Sequence, residues 1–202
     1  MRMINKFLIL SLLLIQFNNQ NVIPEKQELS KAYFASGCFW CVESIYENLN
    51  GVTKVDSGYS GGFTKKPNYT QVMSGKTGHA ETIEVIYDSK IIDFKTLVKV
   101  FFGSHDPSTL NRQGPDVGTQ YRSIAFYKNE NEKKIIKEEI KRLLKNQTYK
   151  KVTTQVVEFE KFYVAEEYHQ DFKKNNPSNL YIKNVSAPRI NKFKMNFKDI
   201  LK

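Results

Sequence analysis

Gly37-Cys38-Phe39-Trp40-Cys41-Val42-Glu43 holds both cysteines of this 202-residue chain and its only tryptophan. Ahead of it, Lys31 to Ala35 reads as a strand. Behind it, Val42, Ile45 and Leu49 fall on one face of a helix, with Gly51 as its stop. Cys38 is thus expected where a strand hands over to a helix. A thiol there meets the positive end of the helix dipole and unpaired backbone N–H groups, and both favour the thiolate. The pair of thiols admits several readings. Two buried cysteines can simply pack. A metal site needs three or four ligands, for which the chain offers His79, His105 and His169 but no second cysteine pair. A thioredoxin-like redox motif also uses C-x-x-C, usually with smaller, polar or proline-bearing residues between the thiols. Phe39 and Trp40 would instead build an apolar wall beside the sulfur, suited to an apolar group attached to a reacting atom.

Outward from the motif, strands and helices alternate. Val52 to Tyr59 reads as a strand, followed by a glycine-rich loop through Gly78, and Glu81 to Tyr87 as the next strand. Phe94, Leu97, Val98, Phe101 and Phe102 have helical spacing behind an Asp93 cap. Ser123 to Lys128 is a strand. Asn129 with Glu132 reads as a capping box for a helix bearing Ile136, Ile140, Leu143 and Leu144, and Val152 to Phe159 is a late strand. The order β-α-β-β-α-β, with additional loops and a C-terminal extension, predicts an α+β fold, a ferredoxin-like two-layer α/β sandwich. In the strand from Glu81, alternation puts that carboxyl on the face of Ile83, Val85 and Tyr87, which should point inward. Burial would raise its pKa and keep it protonated. The alternative is a strand-end glutamate that reaches water.

The net charge is +10, and most of the excess lies after Tyr127. Lysines there interleave with glutamates, as Lys137 and Lys141 do around Glu138 and Glu139, which reads as a solvated helix face and not a nucleic-acid surface. Met1 to Lys6 supplies a positive start, and Phe7 to Ile15 a short apolar run suited to a signal peptide or N-terminal anchor, with a polar linker behind it. Residues 1–28 are therefore set apart from a single domain over 29–202. Export is expected, to a periplasmic, secreted or membrane-anchored location, with cleavage left open.

The motif of Gly37 to Glu43 resembles the active-site signature of the A-type peptide-methionine sulfoxide reductases. Further blocks follow in that family's order: Gly58-Tyr-Ser-Gly-Gly62, Pro67-Asn-Tyr69, Ser74-Gly-Lys-Thr-Gly-His-Ala-Glu81, His105-Asp-Pro107, Arg112 through Ser123, and Tyr163 through Gln170. They span roughly residues 31 to 190. The resemblance implies the same ferredoxin-like fold and reduction of methionine S-sulfoxide, free or in proteins. It implies Cys38 as nucleophile, Glu81 as proton source, Tyr69 and Tyr121 as hydroxyl donors to the sulfoxide oxygen, Phe39 and Trp40 as the cradle of the methyl group, and Asp116 as a substrate-orienting carboxylate. The three histidines are expected in structural hydrogen bonds. Many family members recycle through cysteines near the C-terminus, but none lies between Pro177 and Lys202. Cys41 is then the resolving partner of Cys38, with thioredoxin or another dithiol as reductant. No bound cofactor or metal is implied, and a monomer is expected.

Overall fold

The computed structural model describes residues 29–202; the expected N-terminal signal or anchor segment, residues 1–28, lies outside the described residues. The chain runs β1 (Leu29–Ser36), α1 (Phe39–Glu47), β2 (Val52–Ser60), α2 (Tyr69–Met73), β3 (Ala80–Asp88), α3 (Phe94–Gly103), β4 (Arg112–Gln113), β5 (Asp116–Val117), β6 (Ser123–Tyr127), α4 (Glu130–Lys145), β7 (Gln155–Glu158), β8 (Phe162–Val164), α5 (Phe172–Asn175) and α6 (Ala187–Asn196). The six-stranded sheet has the order β7-β6-β1-β3-β2-β8, and β4 pairs with β5 in a separate ribbon. Its central four strands, β6-β1-β3-β2, are antiparallel to their neighbours. With α1 and α3 as crossovers they form the expected ferredoxin-like unit. Crossover α4 adds β7 parallel to β6, and β8 joins the opposite edge antiparallel to β2.

One face of the sheet carries Ala32, Phe34, Val55, Ile83 and Val85, covered by Val42 and Ile45 of α1, Leu97 and Phe101 of α3, Ile136 of α4, and Ile190 and Phe193 of α6. The other face buries Tyr33, Ala35, Ala80, Ile124 and Phe126 under Val157, Phe159 and Phe162, with no helix of the described residues over it. A short link explains how. Strands β7 and β8 lie at opposite edges, five spacings or about 24 Å apart in a flat sheet. Yet the step from Glu158 to Phe162 reaches at most about 15 Å. The sheet must therefore curl, and Phe159, stacked on Tyr33 with ring centroids 3.6 Å apart, fills the hollow.

Local signals fix the element ends. Asp93 accepts the Thr96 N–H at 2.7 Å, as its sequence position predicts. At α4 the cap differs from the expected box. Asn129 accepts the Glu132 N–H, but the Glu132 carboxylate reaches one residue further back and accepts from Lys128 N. Along that helix, Lys133 pairs with exposed Glu130, as expected of a solvated face, whereas Glu139, read as part of that face, is buried and held by Arg142 at 2.6 Å. One region departs from the sequence reading, and the C-terminal extension gains detail it lacked there. The stretch read as a loop through Gly78 contains α2, closed by a reciprocal capping box between Asn68 and Gln71. The C-terminal extension is folded: a π-helical turn at Ile182–Ser186 leads into α6, and Leu201 bridges back to Leu49.

Candidate active site

Gly37 follows β1 with φ +85, and a Cβ there would fall 2.5 Å from the Gln113 side chain, so the turn into α1 requires glycine. Cys38 follows as the N-cap of α1, its carbonyl accepting from Cys41 N at 3.1 Å. The expected strand-to-helix junction is thus in place. From β3 beneath it, Glu81 reaches up, and its Oε2 accepts the Phe39 N–H at 2.9 Å. Glu81 is 2% exposed, on the inward face that strand alternation assigns it. Burial is the main cause that raises its pKa to about 8; the Phe39 N–H opposes, and charge on Asp116 and Cys41 adds.

The tyrosines come from two short helices. Tyr69 is the first residue of α2, and its N–H is held by Glu166 Oε1 at 2.8 Å, while the other oxygen of that carboxylate takes the Tyr59 hydroxyl. Tyr121 ends the 3-10 turn Thr119–Tyr121, and its hydroxyl donates to Met73 Sδ at 3.4 Å. Both phenols stay protonated: burial, then charge on Glu81, raises Tyr69 to about 12 and Tyr121 further. Each also feels charge on Cys38, so the two hydroxyls, the carboxyl and the thiol share one site. Asp116, on β5, accepts the Tyr181 hydroxyl at 2.5 Å, and burial raises its pKa.

The aromatic wall is tightly held. Phe39 is buried against Tyr59 and His169. Trp40 stacks on Phe172 at 3.7 Å, meets Tyr181 edge-on, and donates its Nε1–H to His169 Nδ1 at 3.1 Å. The other two histidines also serve hydrogen bonds, His79 to Gly62 N and Thr64 O, and His105 to Phe101 O and Ser123 Oγ. Among the described residues, no cluster of three or more His, Cys, Asp or Glu is placed to hold a metal ion.

The thiols correct one expectation. Cys38 and Cys41 are both free and buried. The resting Cys38 thiol is not acidified by its helix end. Burial, the bond to Cys41 and charge on Glu81 push it well above its ordinary value, and the Tyr181 hydroxyl only partly opposes this. Magnitudes explain the outcome: a helix terminus contributes about 0.3–1 kcal/mol, whereas full burial can shift a pKa by about 3–5 units. Cys41 goes the other way, to about 6, chiefly because the Cys38 S–H donates to it; Arg189 and Ser186 assist, against burial and Asp116.

All eight residues singled out in the sequence therefore border one place. Sequence reasoning missed Tyr181, Glu166, Ser186 and Arg189, while His169 takes the structural hydrogen bond expected of it. The Ile182-Ser186-Ile190-Phe193 stripe, a helical repeat with one hydroxyl among apolar residues, was a signal for Ser186.

Comparison with known proteins decides the family. The family model described as peptide methionine sulfoxide reductase matches residues 30–201. A relative from Saccharolobus solfataricus, the peptide methionine sulfoxide reductase MsrA, is 46% identical over 171 residues, 85% of this chain and 96% of that protein. The chain belongs to the peptide methionine sulfoxide reductase family. MsrA of Deinococcus radiodurans is 41% identical over 188 residues, 93% of this chain and 91% of that protein. Among solved structures, reduced Mxr1 from Saccharomyces cerevisiae superposes with a TM-score of 0.71 at 34% identity, covering 77% of this chain and 90% of that one. The chain is thus an enzyme of the methionine sulfoxide reductase family, and its mixed α and β fold is the one those structures share.

Proposed function

We propose that the domain over residues 29–202 reduces the S epimer of methionine sulfoxide, free or in oxidised proteins, and so repairs oxidative damage. A sulfoxide sulfur is a poor electrophile until its oxygen receives a proton or strong hydrogen bonds. Glu81 lies buried on β3 beneath the turn of Cys38, its Oε2 on the Phe39 N–H, and this placement is the observation on which the reading chiefly rests; burial raises its pKa to about 8, so it carries such a proton at neutral pH. Tyr69 and Tyr121 donate to the same oxygen, Phe39 and Trp40 receive the methyl group, and Asp116 orients the substrate. Cys38, on losing its proton, attacks the sulfur. The oxygen passes to Cys38, leaving a sulfenic acid and methionine. Cys41 then closes a disulfide with Cys38 and releases water, and thioredoxin or another dithiol reduces the disulfide. Cys41 lies in the same first turn of α1 as Cys38, with its sulfur held 2.9 Å from Ser186 Oγ, and this placement supports that second step. The short apolar run at Phe7 to Ile15 supports export of this activity, with the segment cleaved or kept as an anchor.

The decisive experiment supplies both epimers of a methionine sulfoxide peptide with a dithiol. Turnover of the S epimer alone is expected. Comparable turnover of the R epimer, or disulfide reduction without sulfoxide turnover, would overturn the assignment.

A further inference from the structure

Cys41 is contacted from a segment that the reducing chemistry does not use. Ser186 is fully buried, and its Oγ lies 2.9 Å from Cys41 Sγ. It reaches that sulfur because the backbone before α6 is π-helical over Ile182–Ser186. Pro188 sits in the first turn of α6 and lacks the N–H that would bond the Asn184 carbonyl, which favours the wider turn. One turn on, Arg189 is tied by Nε to Ser104 O at 2.7 Å and by Nη2 to Ser36 O at 2.9 Å. Its Nη1 lies 3.6 Å from where a Gly37 Cβ would stand, beside the turn that carries Cys38. A guanidinium anchored on two carbonyls is a fixed positive charge, and it costs no side-chain ordering when an anion forms nearby.

We propose that Ser186 and Arg189 are positioning residues for Cys41, holding its sulfur as an anion aimed at Cys38 and so setting the rate of disulfide closure. The inference rests on the proposed role of Cys41 as resolving thiol. In that step the Cys41 sulfur attacks the sulfenic sulfur of Cys38. The S–S bond forms, the S–O bond breaks, and the departing hydroxide takes up a proton and leaves as water. Cys41 is oxidised and Cys38 reduced, with no other reactant. The charged and titratable groups that act on Cys41 or feel its charge are Cys38 and Arg189, which favour the anion, Asp116 and Glu81, which oppose it, and Tyr181. The last three act from β5, β3 and the turn before α6.

The test uses the full chain with Ser186→Ala, Ser186→Thr, Arg189→Met and Arg189→Lys. Two measurements are made: single-turnover release of methionine followed by disulfide closure across pH, and titration of the reduced enzyme by thiolate ultraviolet absorbance. Ser186→Ala should slow closure about tenfold near neutral pH and move its rising pH limb upward by about one unit, the loss of one hydrogen bond to a charged group. Methionine release should keep its rate, and Ser186→Thr should restore closure. Arg189→Met should act in the same direction, with Arg189→Lys between it and the parent; if the Met variant does not fold, the Lys variant and Ser186→Ala carry the test. Unchanged closure and thiolate titration in Ser186→Ala would overturn the proposal, as would equal slowing of both steps. Should the protein fail to reduce sulfoxide, the proposed function falls, while the thiolate titration still reports whether Ser186 and Arg189 govern Cys41.

Discussion

The site has two walls, and they differ in origin and in task. One is built by β3, α2, the start of α1 and the segment around Tyr121, and it presents Glu81, Tyr69 and Tyr121 to Cys38. The other is built by the C-terminal segment, and it presents Ser186 and Arg189 to Cys41. The first wall holds neutral acids with raised pKa values, fit to donate protons to a developing oxyanion. The second holds a fixed cation and a hydroxyl, fit to stabilise a sulfur anion. One helix turn thus bears two thiols whose proton affinities are pushed apart by what faces each of them. Replacing single groups should separate the walls.

Cys38→Ser should remove the largest effect, because both walls act on its sulfur. A hydroxyl at neutral pH is a far weaker nucleophile, so sulfoxide reduction should vanish. Residual turnover above a few per cent of the parent would remove Cys38 from the mechanism.

Glu81→Gln should damage only the first wall. It keeps the shape and a hydrogen-bond donor but loses the transferable proton, and general acids contribute about a hundred- to ten-thousand-fold. The parent's first step should decline as pH rises through about 8, since the acid form of Glu81 is lost there. The variant should be slow throughout and lack that decline. A parental rate with a parental pH profile would assign the proton to a tyrosine or water.

Cys41→Ser should leave the first wall working and silence the second. One equivalent of methionine should still form, while steady-state activity with thioredoxin falls by about tenfold or more, and a small thiol partly rescues it. Unchanged steady-state activity would mean that the reductant takes Cys38 directly.

The same division governs what could be read in the sequence. Most of the first wall is local and periodic: a glycine turn, a C-x-x-C at a helix start, and a carboxyl whose strand parity put it inward. Each of these needs only neighbours in sequence, and each was legible, while Tyr69 and Tyr121 came only through the resemblance and α2 was read as loop. The second wall depends on where a lysine-rich tail folds back, which no local pattern states, although the stripe from Ile182 to Phe193 marks its buried face. The acidity of Cys38 was misread for a related reason. Its helix end is visible in the sequence, but the burial that outweighs it is tertiary. The curl of the sheet was equally hidden, since it follows from which edges the three residues Phe159 to Lys161 must join.

A carboxyl outside both walls completes the comparison. Glu43 lies on α1, five residues from Cys38, buried, and raised to about 8 mainly by burial; the Asp171 N–H opposes, and charge on Glu47 adds. It matches Glu81 in proton affinity and differs in facing neither thiol pair nor phenol. If burial alone made Glu81 special, the two would be interchangeable. A folded pKa above the unfolded one gives stability that is full below about 4.3, the unfolded value, and lost as pH rises to about 8. Glu43→Gln removes that titration. Its melting temperature should therefore gain on the parent's between about pH 5 and pH 8, by an amount on the order of 1–2 kcal/mol of stability after local relaxation. Its sulfoxide reduction should keep the parental rate and the decline through about pH 8, because Glu81 is untouched. Thermal melts and single-turnover rates on the same samples check both halves. A lost decline in Glu43→Gln would show that the catalytic pH limb belongs to α1 as a whole and not to the wall that holds Glu81.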